Sequence, residues 1–357
     1  MTKLALVQRP KLGFYSWLFV IATTVACHRD VQGSPGDEKN QTKPAATNPT
    51  AAATPKLAAL RPVRAPGRVV AIGDLHGDLT ATRRAFRTSK VIDEADQWIG
   101  GNSVVVQTGD VLDRGNEERP LLEWLERLTD VAKAGGGALY RLNGNHEVMN
   151  VAGDLRYVTD DGFAAFAEYA QTANARQLHE LPAAQRGRLV AFLPGGPWAR
   201  RLAAYPAVLI VNDSVFTHGG LTPKHVSFGL EQLNTELSAW MRGTGKLSPV
   251  LAGDEAPYWN RTYGDAVSDA DCQTLEAILT QLSVKRLVIG HTPQKGGVSF
   301  ACNEHVIRID VGLSSFYGTN PSSVLEINGD QVSVLAEGKA VNRPTKRLPT
   351  ESVKGHP

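Results

Sequence analysis

Five short blocks in this 357-residue chain carry Asp, Asn, His and Arg at spacings that no packed core requires. They are Gly73-Asp74-Leu75-His76-Gly77-Asp78, Gly109-Asp110-Val111-Leu112-Asp113-Arg114-Gly115, Gly144-Asn145-His146-Glu147, His218-Gly219-Gly220-Leu221 and Gly290-His291-Thr292. Asp74 and His76 stand two apart, so at a strand end both can reach one cation. Asp110 can bridge two cations with its two carboxylate oxygens, and Asn145, His218 and His291 complete the second. Mixed Asp, Asn and His ligation suits manganese first, with iron or zinc as alternatives. Magnesium would favour an all-oxygen site, and structural zinc a thiolate one. Two such ions about 4 Å apart can hold a bridging hydroxide and the phosphoryl oxygens for in-line displacement. The chemistry predicted from the residues is therefore metal-dependent phosphoester cleavage.

His146 follows a ligand directly, so it lies near the metals while pointing elsewhere, which makes it the candidate general acid for the leaving oxygen. Asp113 is placed to orient that imidazole, as carboxylates commonly do. Arg114 offers a planar fork to phosphate oxygens, and Arg261, in Pro257-Tyr258-Trp259-Asn260-Arg261, is a second one. Arg156 and Tyr157 are candidates to line the substrate cleft, with a packing role as the alternative. His179, His225 and His305 lack ligand-like neighbours and read as surface or satisfied polar groups. Gly243-Thr244-Gly245-Lys246 lacks the upstream glycine spacing of a phosphate loop and is set aside.

The elements that must carry these residues are legible in part. Arg68–Ile72, Ser103–Gln107 and Ala138–Leu142 are short apolar, β-branched runs, and each empties into a glycine-containing block. Helical character over Leu79–Val91 and Leu121–Ala134 separates them, so strand and helix alternate and a parallel sheet with right-handed crossovers follows. Ligands of such sheets gather at the C-terminal strand ends, where these polar residues fall. Ala207–Val211 and Ser214–Thr217 read as a hairpin across Asn212-Asp213. Arg286–Ile289 leads into Gly290-His291, and Val306–Asp310 follows. Ser323–Ile327 and Gln331–Leu335 are joined by Asn328-Gly329-Asp330, a hairpin signal. A second sheet packed on the first accounts for this half. The segment at about 151–205 is helical and inserted between blocks, so it is expected over or beside the site.

Outside the folded part, Lys3, Arg9 and Lys11 precede an apolar run from Gly13 to Ala26 that ends in Thr24-Val25-Ala26-Cys27. A positive segment followed by an apolar run too short for a comfortable span is the export-signal pattern. The small residue before Cys27 is similar to a lipobox, so residues 1–27 are predicted to be a signal with Cys27 as the lipidation site. The product would be an exported lipoprotein anchored at a bacterial cell envelope, in the periplasm or at the outer membrane. Residues 28–66 are rich in Pro, Ala, Thr, Gln, Asn and Gly and are expected to be a disordered linker. A catalytic domain is expected over 67–340 and a flexible tail over 341–357. Cys272 and Cys302 either pair or stand as separate buried thiols. The net charge of +2 gives no reason to expect a nucleic-acid partner, which would need a basic stripe, so none is expected.

Taken together the blocks resemble the phosphoprotein phosphatase family of calcineurin-like metallophosphoesterases, with its GD-x-HG, GD-x-x-DRG, GNHE, HGGL and GH signatures. Gly144 to Asn150 followed by Gly153 to Val158, and Gly290 to Gln294 followed by Ile309 to Leu313, are most similar to its Shewanella-like, bacterial-type branch. The resemblance spans about Arg68 to Leu335. It implies a four-layer α/β sandwich, two mixed β-sheets flanked by helices, with a helical insertion. It also implies a dinuclear site and direct attack by a metal-bound hydroxide without a phosphoenzyme. His146 with Asp113 as the acid pair, and Arg114 with Arg261 as phosphate clamps, fit the same pattern. Related sequences commonly place Gly after this last Arg, where Thr262 stands here. The expected activity is hydrolysis of phosphomonoesters on Ser/Thr or Tyr phosphoproteins, or on a small phosphomonoester. A nucleotidase or dinucleoside polyphosphate hydrolase shares the five blocks. A silent binding module would keep the fold but, as a rule, lose a ligand.

Overall fold

In a computed structural model, the described residues are 62–172, 178–318 and 322–336, with the backbone of 339–342. The three early apolar runs are β1 (Val69–Ile72), β2 (Val104–Gln107) and β3 (Ala138–Arg141). They pair in parallel, Val69 opposite Val104 and Val104 opposite Ala138. Parallel neighbours need a long crossover, and α1 (Leu79–Thr88) and α2 (Glu118–Ala134) provide it. Every position of β1 and β2 is buried, as strands covered on both faces require. α1 starts where the Asp78 side chain accepts from Ala81 N at 2.8 Å. α2 begins earlier than its leucine spacing suggested, because Pro120 is tolerated in a first turn, whose N–H groups have no helical partner.

The first sheet is completed by β9 (Ser323–Asn328), β10 (Gln331–Ala336) and β11 (Lys339–Asn342), in the order β11-β10-β9-β1-β2-β3. The second runs β4-β5-β6-β8-β7, from β4 (Val208–Val211), β5 (Ser214–Thr217), β6 (Arg286–Ile289), β7 (Ser299–Ala301) and β8 (Val306–Arg308). Its β5, β6 and β8 are parallel and its two edges antiparallel. Val70, Ile72 and Val105 from one sheet and Val215, Phe216 and Val288 from the other belong to a single buried cluster. The insertion follows α3 (Asn145–Val151) and comprises α4 (Asp160–Ala164), α5 (Ala183–Phe192) and α6 (Pro197–Leu202). After β5 come α7 (Pro223–Phe228), α8 (Leu230–Met241) and α9 (Asp269–Leu282). This is the expected architecture of two mixed sheets flanked by helices.

Two expected boundaries move. Val63 N donates to Ile210 O and Val63 O accepts from Asn212 N, both at 2.9 Å, and Ala65 N bonds the Asn212 side chain. Edge-strand pairing thus draws 63–65 out of the expected linker 28–66. At the other end β11 pairs Val341 with Val334 and Asn342 with Ser333, so the domain runs two residues past 340. The export signal, Cys27, the linker up to residue 61 and the tail beyond 342 lie outside the described residues. No helix among the described residues is long and apolar enough to cross a membrane. Cys272 and Cys302 form a disulfide with Cα atoms 5.1 Å apart, joining α9 to the turn between β7 and β8.

Candidate active site

The blocks converge. β1 leads to Asp74, β2 to Asp110 and β3 to Asn145, while β5 leads to His218 and β6 to His291. Parallel strands from both sheets thus deliver donors from their C-terminal ends to one place. His218 Nε2 lies 3.2 Å from Asp110 Oδ2, 2.9 Å from Asn145 Oδ1 and 3.2 Å from His291 Nδ1. His76 Nε2 stands 3.8 Å from the same Asp110 oxygen, Oδ2. Donor atoms of Asp110, His218 and His291 form one compact buried group, and those of Asp110, His76 and His146 a second, with Asp110 common to both. Asp74 closes the floor: its carboxylate accepts from His291 N at 3.2 Å and lies 3.8 Å from His218 Nδ1.

These residues fit a pair of divalent cations. A ligating imidazole must be neutral and held by its other nitrogen. His76 Nδ1 bonds Leu112 O at 3.0 Å, His218 Nδ1 bonds Thr108 O at 2.9 Å and His291 Nε2 bonds Trp259 O at 3.1 Å. Burial pushes His76 down to about 3 and, with the charge of His218 adding, His291 down to about 2. The carboxylates are mutually stressed. Burial, then the charges of Asp310 and Asp110, raises Asp74 well above its ordinary value. Burial also acts to raise Asp110, but the imidazoles of His218 and His146 outweigh it and hold this carboxylate well below its usual range. Asp310, at the end of β8, is pushed up to about 6 by burial, with the Asp110 charge adding. Cations among these groups would relieve the crowding of buried negative charge.

His146 differs from the other three. Its Nδ1 bonds a carboxylate, Asp113 Oδ2, at 2.6 Å, and its Nε2 faces Asp110 Oδ2 at 3.8 Å. Burial works against its charged form, but Asp110 and then Asp113 outweigh burial and raise its pKa. A proton donor needs that bias; a ligand needs the opposite. Proximity alone groups His146 with His76 and Asp110, and the Asp113 partner argues for the acid role. The loops after β1, β2 and β6 are strained: His76, Asp110, Asp113, Arg114 and His291 all have φ between 44° and 69°. Non-glycine residues keep that conformation only where surroundings enforce it.

At the rim, Arg114 Nη1 lies 3.0 Å from His76 Nε2 and hydrogen-bonds Tyr317 Oη. Its guanidinium is 5.4 Å from the ring centroids of Tyr157, Phe316 and Tyr317. Tyr157 also packs on His146, centroids 5.2 Å apart. Beside Arg114 opens a hollow of about 630 Å³, lined by Asp78, Arg84, Glu117 and Phe316 among others. Arg261 bonds His291 O at 3.2 Å and Thr292 Oγ1 at 3.0 Å, so the second fork borders the cluster that contains His291. Thr262 keeps negative φ, so no glycine is required there. Arg156 is exposed, with its guanidinium forked onto Asp154 at 2.8 and 2.6 Å. His225 is buried and accepts from Thr222 N at 2.9 Å, a satisfied cap.

Glu147, the last residue of the Gly144-Asn145-His146-Glu147 block, has a role that its residue type alone did not disclose. Its carboxylate accepts from Asp110 N and Val111 N at 2.8 Å, Leu112 N at 3.2 Å and Gly144 N at 2.7 Å. It therefore holds the strained Asp110 loop against α3. The available signal was its place three residues after a helix cap, where Glu commonly reaches back to backbone N–H groups. Tyr317, Asn150, Glu118 and Arg188 carry no such local signal, because long-range packing alone brings them here.

The chain matches the calcineurin-like phosphoesterase family over residues 67–295. It is 39% identical over 297 residues to Shewanella-like protein phosphatase 2 of Arabidopsis thaliana, covering 74% of this chain and 76% of that protein. Shewanella-like protein phosphatase 1 of Plasmodium berghei is 30% identical over 282 residues, 75% of this chain and 74% of that one. Among solved structures, the cold-active protein-tyrosine phosphatase of a psychrophilic Shewanella species shares the fold. It has a TM-score of 0.61 and 24% identity, over 78% of this chain and 81% of that one. With the five blocks gathered around one buried cluster of ligands, the chain belongs to the calcineurin-like phosphoesterase family.

Proposed function

We propose that this hydrolase acts on phosphomonoesters of phosphorylated proteins, on Ser/Thr or Tyr, and that it works with two divalent cations, manganese foremost and iron or zinc as alternatives. The carrying observation is that two donor clusters share Asp110 while a neighbouring imidazole is bound to a carboxylate instead of a carbonyl. Asp74, His76 and Asp110 would hold one cation, and Asp110, Asn145, His218 and His291 the other. When bound, the pair supplies Lewis acidity and neutralises charge on the phosphoryl group. Arg114 and Arg261 bind and orient phosphoryl oxygens from two sides of the cleft. His146 gives its Nε2 proton to the leaving ester oxygen as the phosphorus–oxygen bond breaks, and Asp113 stabilises the imidazolium through Nδ1. The phosphoryl group passes to water, and the dephosphorylated side chain departs as a neutral alcohol or phenol. The aromatic rings around Arg114 supply apolar contact for the substrate's flanking groups, and the hollow beside it offers the charged side chains of Arg84, Asp78 and Glu117.

The names of the relatives support the phosphoprotein reading. Purified chain is expected to hydrolyse p-nitrophenyl phosphate with manganese and to prefer phosphopeptides over diadenosine polyphosphates. No turnover with any divalent metal would mark a silent module, and a strong preference for the dinucleotides would replace the substrate assignment. The N-terminal charge pattern and Cys27 support export with a lipid anchor at the bacterial envelope. The disulfide adds support, since such bonds persist in oxidising compartments. Cys27→Ser is expected to move the protein from the membrane to the soluble fraction, and unchanged retention would refute the anchor.

A further inference from the structure

One buried cation ties the helical insertion to the acid. Arg188, on α5, has no solvent exposure, and its guanidinium lies 4.9 Å from the Phe166 ring centroid and 4.4 Å from that of Phe192. A buried guanidinium packed beside two phenyl rings must find its polar partners among its remaining neighbours. Nε donates to Asn150 Oδ1 at 2.9 Å and Nη1 to Gly162 O at 3.1 Å. Both Nη atoms bond the Glu118 carboxylate, and Nη2 reaches Asp113 Oδ1 at 3.5 Å. Stability alone does not explain this choice, because well-packed apolar residues commonly replace a buried ion pair without loss.

The far side of the network does explain it. Glu118 Oε1 accepts Asp113 N at 2.5 Å, and Asn150 Nδ2 donates to Asp113 Oδ1 at 3.0 Å and to His146 O at 2.9 Å. Asp113 and Arg114 both hold left-handed backbone, φ 68° and 69°, so the loop needs external constraint. The groups that supply it, Glu118 and Asn150, are the same groups that bind Arg188. Resting on the acid role given above to His146, we propose that Arg188 is a positioning residue. Through Glu118 and Asn150 it fixes Asp113 against His146 Nδ1 and so aims His146 Nε2 at the leaving oxygen. The insertion then acts as the rear support of the proton donor as well as a neighbour of the cleft. Substrates whose leaving oxygen most needs a proton depend on it most.

Leaving-group dependence separates this role from a merely structural one. In the full chain, Arg188→Lys and the neutral pair Glu118→Gln with Arg188→Met are compared on phenyl phosphate, a poor leaving group, and 2,4-dinitrophenyl phosphate, a good one. The expected kcat loss is about 10- to 100-fold on the first ester and under about threefold on the second, as for a misaimed donor. KM is expected to be unchanged. In metal-free protein the low-field Nδ1 proton signal of His146 is expected to weaken or exchange faster. Equal losses on both esters, no loss on either, or an unchanged Nδ1 signal would overturn the proposal. Failure of both variants to fold would assign Arg188 to folding alone and overturn it as well. His146→Asn, run in parallel, tests the acid reading itself. If it shows no leaving-group dependence, that reading falls, and the Nδ1 signal still decides whether Arg188 orients the dyad.

Discussion

Asp110 is the residue on which the site turns. It belongs to both donor clusters, sits on left-handed backbone and has its loop bound by Glu147. Asp110→Asn keeps the shape but removes the charge that two cations would share. Metal content measured by mass spectrometry is expected to fall from two ions towards one or none. Losing several kcal/mol of charge stabilisation corresponds to about 10³-fold in kcat/KM. Full metal content in that variant would remove Asp110 from the bridging position. Asp110, His146 and Arg114 were legible from residue type and local spacing. Glu147 carries a local signal as the third residue of α3, whereas Arg188 has no local signature, since its partner Glu118 is 70 residues away.

At the scale of elements, helix ends carry testable energetics. His225 caps α7 from its third position, and burial holds its imidazole down to about 4 against an ordinary 6.5. Between these values the unfolded chain binds a proton that the folded chain does not, so stability falls as pH drops through the window and is unaffected above it. His225→Gln can still accept from Thr222 N, and it is expected to remove about 2 kcal/mol of that acid-side loss. Urea denaturation at pH 7 and pH 4.5 measures it, and identical pH slopes would refute it. α9 ends on Ser283 in left-handed backbone, φ 55° and ψ 41°. Glycine bears that conformation without a Cβ clash, so Ser283→Gly is expected to stabilise by about 0.5–1 kcal/mol, read as a higher melting temperature. Strands and helices were well marked by apolar periodicity. Their ends were not: the pairing of Val63 with the edge of β4 and the reach of β11 to Asn342 depend on partners far along the chain.

For the whole molecule, the bond between Cys272 and Cys302 closes a loop with a sequence separation of 30 and joins α9 to the hairpin of β7 and β8. Constraint of the unfolded chain by such a loop is worth about 3–4 kcal/mol on the chain-entropy account. Replacing both cysteines by serine is expected to lower unfolding free energy by up to that amount while leaving kcat/KM of the folded enzyme unchanged. A large loss of activity without loss of stability would place the bond in the function instead of the scaffold. Both cysteines were plain in the sequence, but whether they meet depended on where the fold sets α9 against the turn between β7 and β8.

The sequence by itself determined the class of chemistry: five blocks supply the donor types of a metallophosphoesterase, and their neighbours mark the strands that end in them. It also determined the family, because those blocks are local and ordered along the chain. Only the tertiary structure decided which imidazole faces a carbonyl and which a carboxylate, and that Asp110 is shared. The same holds for the buried cation of the insertion behind Asp113. The physical reason is range. Ligand type and strand pattern are written within a few residues, whereas orientation, burial and charge compensation arise between segments that meet only when both sheets close on one core.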